Sequence, residues 1–232
     1  MASVPRLSAM SGFNYHPSYC STLYEAWIGF DATVWRSEIG CGKRYFPKLN
    51  TLRIWLDWDA YLRDADTFVR NLETVLDICG GAGIQLHPTL FNRWHNLRQD
   101  VGGIYYDHLL DRDFARFEPY LEGVVGTFSS DPRIVLWDLC NEPNHMDRRN
   151  PLHQLEVDWL RSIADTVRKL GVSQPITIGT MHGTNVEWVS DLCDVLCFHP
   201  YRGWWDDGFV RKCDWAIDLS RKLGKPVIAN ET

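Results

Sequence analysis

The sequence predicts an α/β fold, a (β/α)8 barrel of the TIM barrel type, and three observations support this class. Short apolar runs alternate with longer amphipathic stretches along the chain, as in a parallel sheet with helical crossovers. Polar residues follow nearly every apolar run, and a barrel brings all of its strand ends together at one mouth. An open doubly wound sheet would gather such residues only near its switch point.

Seven apolar runs predict strands, and five stretches predict helices. The strand candidates are SGFNY, TLRIWL, GIQLHPTL, RIVLWDL, PITIGT, DVLCFH and PVIAN. Helices are predicted near residues 31–45, 64–82, 111–129, 152–170 and 208–223, and DPR and KLGKP are breakers typical of helix ends. In the fourth helix candidate, apolar residues recur at helical spacing: Leu155, Trp159, Ile163 and Val167. No linker or composition break divides residues 1–232, so a single domain is expected.

Composition excludes some classes of function. Hydrophobic residues make up 45% of the 232, an ordinary globular value, and the net charge of −6 disfavours a nucleic acid partner. No apolar run approaches the length of a membrane span, so no membrane partner is expected. The first residues, MASVPRLSAMSGFNY, lack the apolar core of a secretory signal. We expect a soluble protein, either cytoplasmic or secreted with its signal removed.

The seven cysteines are predicted to be mostly buried thiols. Their number is odd, and most lie within apolar segments. Cys193 and Cys197 form a C-x3-C pair, but no second pair of Cys or His at zinc spacing matches it. A disulfide or metal framework is the less favoured interpretation.

The stretch WDLCNEPN, residues 137–144, is unusual because a buried strand ends in an amide, a carboxylate and a proline. In a regular strand, Asn141 and Glu142 would point to opposite faces. For both to reach one substrate, the chain must leave ideal strand geometry there. We expect Pro143 to help by holding Glu142 in an extended conformation and ending the ladder.

Glu142 and Glu231 are predicted to face one another across the barrel mouth. They lie three βα units apart, at about 30 residues per unit, which assigns them to strands four and seven. Two carboxylates in one mouth suit glycoside hydrolysis, and retaining enzymes hold the pair about 5–5.5 Å apart.

Three motifs carry a resemblance to a known group. NEP after one strand, FHPY after a later strand, and the glutamate that ends PVIANE resemble the retaining glycoside hydrolases of the large (β/α)8 clan that includes cellulases, β-mannanases and β-galactosidases. Family 5 is the nearest match. The resemblance implies that Glu142 is the acid/base, that Glu231 is the nucleophile, and that Asn141 bonds the sugar beside the cleaved bond. No cofactor or metal is implied.

The resemblance also indicates residues that bind the carbohydrate substrate. Arg53, His199 and Tyr201 would line the site. His87 corresponds to the group's third-strand histidine, although the segment QLHPTLFNRW could instead bring Asn92 into the site. Trp94 and Trp204 follow predicted strands, where their rings could stack on sugars.

The chain ends at Thr232, one residue after the expected nucleophile. The sequence therefore predicts seven strands, without the eighth βα unit. An open barrel exposes two unpaired strand edges, a feature that promotes association. We expect the chain to self-associate through the gap and to have reduced activity.

The predicted function is retaining hydrolysis of β-glycosidic bonds in an oligosaccharide or polysaccharide of the β-glucan or β-mannan type. One alternative is a catalytically inactive carbohydrate-binding barrel with the same site. Another is a metal-dependent hydrolase that uses His87, His182 and His199. This second alternative is less favoured because the sequence has neither H-x-H after the first strand nor H-E-x-x-H.

Overall fold

The computed structural model describes residues 7–92, 113–143, 148–181, 183–201 and 208–231. Its seven strands form one sheet in chain order, and each strand pairs in parallel with the next. They are β1 (Gly12–Asn14), β2 (Thr51–Trp55), β3 (Gln85–Thr89), β4 (Trp137–Asn141), β5 (Ile176–Thr180), β6 (Leu196–Phe198) and β7 (Val227–Ala229).

The sheet curls into a barrel wall. Arg53 of β2 reaches Glu231, just beyond β7, with 2.9 Å between Nη1 and Oε2, although four strands separate β2 from β7 in the sheet. Such a contact requires the sheet to close around an interior. The predicted class, a (β/α)8 barrel with seven strands present, is confirmed.

Helices connect successive strands. They are α1 (Leu23–Ile28), α2 (Ala32–Tyr45), α3 (Trp58–Arg63), α4 (Ala65–Gly81), α5 (Glu118–Leu121), α6 (His153–Lys169), α7 (Gly183–Val189) and α8 (Gly208–Leu223). Four of the five predicted helices are present as α2, α4, α6 and α8. No helix in the described ranges is long and apolar enough to cross a membrane.

The prediction of one regular helix over residues 111–129 is wrong. The described part of this stretch contains a 3₁₀ turn at Phe114–Phe117, the short α5, and a π-helical turn at Glu122–Gly126. Pro119 lies in the first turn of α5, and it has no N–H to continue a helix from the preceding turn. A single regular helix is therefore interrupted there.

The strand predicted for RIVLWDL is shorter than expected. Only Trp137–Asn141 belongs to β4, whereas Ile134 makes an isolated bridge to Leu86. In the pairing of β3 with β4, Thr89 of β3 lies opposite Asp138 of β4. The apolar run is still buried, so the pattern predicts burial correctly but not continuous pairing.

The core lies between the sheet and its helices. Trp159, Ile163 and Val167, on the predicted apolar stripe of α6, are fully or almost fully buried. Phe91 contacts Phe117 and Trp159 edge-on, with ring centroids 5.3 and 5.2 Å apart. This packing fixes α6 behind β4 and so fixes the wall that carries Glu142.

The cysteine prediction is confirmed. All seven cysteines lie within the described residues and are thiols, and four of them are buried: Cys79, Cys140, Cys193 and Cys197. Burial raises the pKa of Cys79 and Cys193 to about 12, so both thiols stay protonated and inert as nucleophiles.

Candidate active site

Strand β4 leaves regular geometry just before Pro143. Its register with β5 shifts between Asp138 and Asn141, and Glu142 has φ of 47°. The expectation that Pro143 holds Glu142 extended is therefore wrong. Tertiary hydrogen bonds outweigh the local preference: Asn141 N donates to Phe91 O, and Glu142 N donates to Gly179 O, both at 2.8 Å. The left-handed conformation costs an L-residue about 1–2 kcal/mol.

The irregular strand end explains how neighbouring residues serve one site. Asn141 and Glu142 both line the same cleft, which a continuous two-residue alternation would not allow. Both are also buried, at 6% exposure each. The peptide geometry, rather than side-chain length, brings the amide and the carboxylate together.

Glu142 has a close histidine partner. His199, just beyond β6, is buried, and its Nδ1 lies 2.7 Å from Glu142 Oε1. The same Nδ1 lies 3.7 Å from Glu231 Oε2. His199 therefore lies between the two carboxylates.

Glu231 has a different set of partners. Arg53 Nη1 donates to its Oε2 at 2.9 Å, and the Tyr201 hydroxyl donates to its Oε1. Partial burial and this hydrogen bond to Glu231 raise the pKa of Tyr201 above its usual range, so the hydroxyl remains a donor. One carboxylate oxygen of Glu142 lies within 4.8 Å of one from Glu231.

Arg53 is the buried link between these groups. Its Nε and Nη2 donate to Asp138 Oδ2 at 3.1 and 2.7 Å, and Nη2 also donates to Asn141 Oδ1 at 2.8 Å. Its guanidinium stacks on the Trp55 ring, 4.7 Å from the centroid. Burial alone would lower the pKa of Arg53, but the Asp138 carboxylate outweighs burial and the pKa is raised.

His87 and Asn92 occupy different places. His87 is 1% exposed and lies in the barrel interior beside Arg53, and its Nε2 has no hydrogen-bond partner within the described part of the chain. Burial lowers the pKa of His87 to about 3, so it is neutral at pH 7. Asn92 instead lines the cleft and accepts a bond from Asn141 Nδ2 at 3.0 Å.

The cleft has a volume of about 570 Å³, within the usual range for a small-molecule site. Its lining is His16, Ser21, Thr22, Leu23, Trp55, Asn92, Asn141, Glu142, Met181, Tyr201 and Glu231. The predictions for Trp94 and Trp204, and the alternative that uses His182, fall outside the described residues.

Sequence reasoning missed several contributors. Trp55 and Met181 lie at the ends of predicted strands, and this position was the available signal for both. His16 follows the predicted strand SGFNY directly, so the same signal was available for it. Asp138 lies inside a buried strand, and its partners come from distant parts of the chain.

The two carboxylates and His199 could also hold a cation. Glu142, His199 and Glu231 each offer one ligand atom, and these atoms lie within 4.8 Å of one another. This group does not contain His87, a member of the metal alternative. Arg53, 2.9 Å from Glu231, supplies a fixed positive charge that opposes a second cation.

A second cavity, of about 500 Å³, opens between the two edge strands. Residues of β1 and β7 line it together with Arg53, His87 and Glu231. β1 is exposed at all three positions, and β7 is partly exposed. The barrel interior is therefore open to solvent on this side.

A curled parallel sheet with two glutamates facing each other at the carboxyl ends of its strands defines the class of (β/α)8 glycoside hydrolases. Residues 46–228 match the cellulase family, glycosyl hydrolase family 5. The chain belongs to this family. The matched segment includes Glu142 and ends just before Glu231.

Solved structures share the fold. An exo-β-1,4-mannosidase from Opitutaceae bacterium strain TAV5 superposes with a TM-score of 0.68 at 18% identity, over 94% of this chain and 44% of that one. The endo-1,4-β-mannanase from Rhizomucor miehei gives a TM-score of 0.66 at 17% identity, over 94% of this chain and 75% of that one.

Curated relatives are similar in sequence over part of their length. A β-glucuronidase from Paenibacillus borealis is 27% identical over 138 residues, 54% of this chain and 21% of that protein. A probable mannan endo-1,4-β-mannosidase C from Aspergillus terreus is 23% identical over 203 residues, 68% of this chain and 48% of that protein. The chain thus spans half or less of these two relatives.

Proposed function

We propose that this chain hydrolyses β-glycosidic bonds with retention of configuration, with Glu231 as nucleophile and Glu142 as acid/base. The observation that carries the proposal is the approach of the two carboxylates to within 4.8 Å. Retaining enzymes hold their carboxyl groups about 5–5.5 Å apart, whereas inverting enzymes leave about 6.5–9.5 Å for a water molecule.

The partners of each carboxylate suit these roles. Arg53 and Tyr201 donate to the two oxygens of Glu231, and these bonds hold the carboxylate at the cleft. In the first step, a Glu231 oxygen bonds to the anomeric carbon while the bond from that carbon to the leaving oxygen breaks.

Glu142 moves the protons. It gives a proton to the leaving oxygen in the first step, and its contact with His199 keeps it oriented toward the cleft. In the second step, it takes a proton from water, the water oxygen bonds to the anomeric carbon, and Glu231 leaves as a carboxylate. We assign sugar binding to Asn141, and its bonds to Arg53 and Asn92 at the cleft support this role.

The proposed substrate is an oligosaccharide or polysaccharide of the β-mannan or β-glucan type. Relatives named as mannanases or mannosidases support the mannan type. Relatives named as glucuronidases make a β-glucuronide the alternative to test.

The test is a panel of aryl β-mannosides, β-glucosides and β-glucuronides, with mannan and β-glucan. Wild type, Glu142→Gln and Glu156→Gln are compared, because Glu156 is a buried glutamate on α6 outside the site. We expect turnover by wild type and Glu156→Gln, with a large loss only in Glu142→Gln. NMR of the first product should show the β anomer.

Two outcomes would contradict the proposal. A first product with the α configuration would exclude retention. Binding of oligosaccharides by calorimetry without turnover of any substrate would favour the alternative, a catalytically inactive carbohydrate-binding barrel. The exposure of β7, which immediately precedes Glu231, is the feature that favours this alternative.

We also propose that residues 1–232 form a single barrel domain that self-associates through its open side. Both edge strands present backbone N–H and C=O groups toward the gap, and these groups need partners. Phe13 of β1 and its ring neighbour Phe46 are exposed apolar side chains at one of these edges.

A further inference from the structure

We propose that Asp138 is the positioning residue of this site, and that it holds Arg53 and the irregular end of β4 so that both glutamates face one substrate. The inference rests on the proposed two-glutamate hydrolysis and adds a residue to it. Asp138 is 0% exposed and does not line the cleft. It must act through other groups.

The two oxygens of the Asp138 carboxylate accept hydrogen bonds from different groups. Oδ2 accepts from Arg53 Nε and Nη2 at 3.1 and 2.7 Å, and from Thr89 Oγ1 at 3.1 Å. Asn230 Nδ2 lies 3.5 Å from the same oxygen. This side of the carboxylate therefore holds groups from β2 and β3 and from the segment after β7.

Oδ1 supports the backbone where the register shifts. It accepts from Gly179 N at 3.0 Å and from Cys140 N at 3.2 Å, at the point where β4 and β5 lose regular pairing. A buried N–H without a partner is costly. The carboxylate therefore stabilises the backbone arrangement that turns Asn141 and Glu142 toward the same cleft.

Asp138 also competes with Glu231 for the positive charge of Arg53. The guanidinium lies between two carboxylates, at 2.7 Å from Asp138 and 2.9 Å from Glu231. Other ionisable groups near this pair are His87, His199, Cys193 and Cys197. His87 is neutral at pH 7, and burial raises the pKa of both cysteine thiols, which keeps them neutral as well. Without the Asp138 charge, the full positive charge of Arg53 would act on Glu231 and weaken it as a nucleophile.

The surroundings leave little room for another arrangement. A Cβ placed on Gly179 would lie 3.2 Å from Asp138 Oδ2, 3.2 Å from Arg53 Nη2 and 2.9 Å from His199 Nε2. A displaced guanidinium therefore could not move toward β5. The space left to it lies toward Glu231 and the cavity between the edge strands, which Arg53 also lines.

The test uses Asp138→Asn in the full chain, with Glu156→Gln as the matched control. Both substitutions change a carboxylate with 0% exposure to an amide. The asparagine retains Oδ1 for the two backbone N–H groups and replaces only the oxygen that faces Arg53. We expect kcat on an aryl β-glycoside to fall about a hundredfold, as for a catalytic group misplaced by about 1 Å, with KM changed much less.

The acid limb of the pH–rate profile separates positioning from plain destabilisation. In Asp138→Asn it should move to lower pH, because Arg53 then favours the ionised form of Glu231 more strongly. Glu156→Gln should keep the wild-type limb. The proposal would be overturned if the acid limb of Asp138→Asn lay at the same pH as that of wild type. It would also be overturned if the kcat of Asp138→Asn equalled that of the control.

A second variant covers the case in which Asp138→Asn does not fold because Arg53 is left as an unpaired buried charge. The double variant Asp138→Asn/Arg53→Met removes both charges and should fold. Its kcat should equal that of Arg53→Met within about threefold, because the two residues act as a unit. A much slower double variant would show that Asp138 acts by another route and would also overturn the proposal.

The failure of the proposed function would look different. A folded wild type that turns over no glycoside would defeat the hydrolase assignment first. The coupling of Asp138 to Arg53 would then be read from urea unfolding of the two single variants and the double variant. If the loss of stability in the double variant equalled the sum of the losses in the two single variants, the inference would be contradicted.

Discussion

At the scale of single residues, the two glutamates differ in their partners more than in their burial. Glu231 meets a cation and a hydroxyl, whereas Glu142 meets an imidazole. A carboxylate beside a fixed cation stays ionised and suits attack. One beside a group that can itself give or take a proton suits proton transfer.

The acid/base role proposed for Glu142 predicts a dependence on the leaving group. General acid catalysis contributes about 10²–10⁴-fold, so Glu142→Ala should lose this factor in kcat/KM for glycosides with poor leaving groups. Dinitrophenyl glycosides need little protonation and should lose far less. Glu231→Ala should remove turnover of both, because the covalent intermediate cannot form. Equal losses across leaving groups in Glu142→Ala would assign the acid elsewhere.

His87 predicts a pH dependence of stability. Its pKa is about 3 in the folded chain, lowered chiefly by burial, against about 6.5 in the unfolded chain. Between these values the unfolded state binds a proton that the folded state does not. The free energy of unfolding should therefore fall as the pH drops from 6.5 toward 3, by up to about 1.4 kcal/mol per pH unit from this residue.

His87→Gln should flatten that slope in urea unfolding measured between pH 7 and pH 4. Ile84→Val, a small deletion in the core just before β3, is the control. It should lower the free energy of unfolding by about 0.5–1.5 kcal/mol equally at every pH. A slope in His87→Gln that matches wild type would mean that His87 is protonated in the folded chain.

At the scale of elements, the strand order could be predicted because apolar, β-branched runs recur with polar residues at their ends. The long helices could be predicted for a similar reason, since α6 carries four apolar residues at helical spacing. α1 and α3 have only six residues each, too few for a periodic pattern. Caps hold them instead, with Thr22 and Glu25 forming a capping box at α1.

The sequence could predict which residues belong to the candidate site, but it could not predict their geometry. Residues at strand ends, such as Arg53, Asn141 and His199, could be found from their positions. The register shift in β4 and the left-handed Glu142 could not, because Pro143 favours the opposite backbone conformation. The structure that overrides this preference depends on Phe91 and Gly179, which lie far away in sequence.

Gly179 in β5 offers a test at the scale of the strand. A methyl group there would press on His199, Arg53 and Asp138 at once. Gly179→Ala should lower the free energy of unfolding by about 1–3 kcal/mol through overpacking, and activity should fall. The measurement is thermal unfolding together with kcat.

Gly40 in α2 provides the matched control. It is exposed, and a Cβ there would meet nothing within 4 Å. Gly40→Ala should raise the free energy of unfolding by about 0.5–1 kcal/mol, since alanine is the better helix former. If Gly179→Ala were equally harmless, β5 would have more room than its contacts indicate.

At the scale of the whole molecule, the proposed self-association concerns the side of the barrel between the two edge strands. β1 and β7 are edge strands with a cavity of about 500 Å³ between them. Glu231 lies two residues beyond the end of β7. Any contact that orders β7 should therefore also order the nucleophile.

Self-association through this side should depend on concentration and should be visible by light scattering coupled to size exclusion. Phe13 on β1 is 47% exposed and packs against Phe46, with ring centroids 4.8 Å apart. Phe13→Lys should reduce association, because lysine protects edge strands from pairing. Leu62→Lys is the control, since Leu62 is exposed on α3. An equal effect of both would place the contact elsewhere, and a monomer at every concentration would refute it.

The Arg53–Glu231 contact has a consequence for synthesis on the ribosome. The two residues lie 178 positions apart, an interval that takes roughly 10–40 s to translate at the usual rates. Throughout that time Arg53 lacks its last partner, and for the first 85 positions it also lacks Asp138. A nascent chain that contains only β1 to β3 must keep this guanidinium hydrated, because a buried cation without its carboxylates is strongly disfavoured. Burial of the barrel interior around β2 therefore waits for translation of β4, and the Arg53–Glu231 contact waits for translation of Glu231.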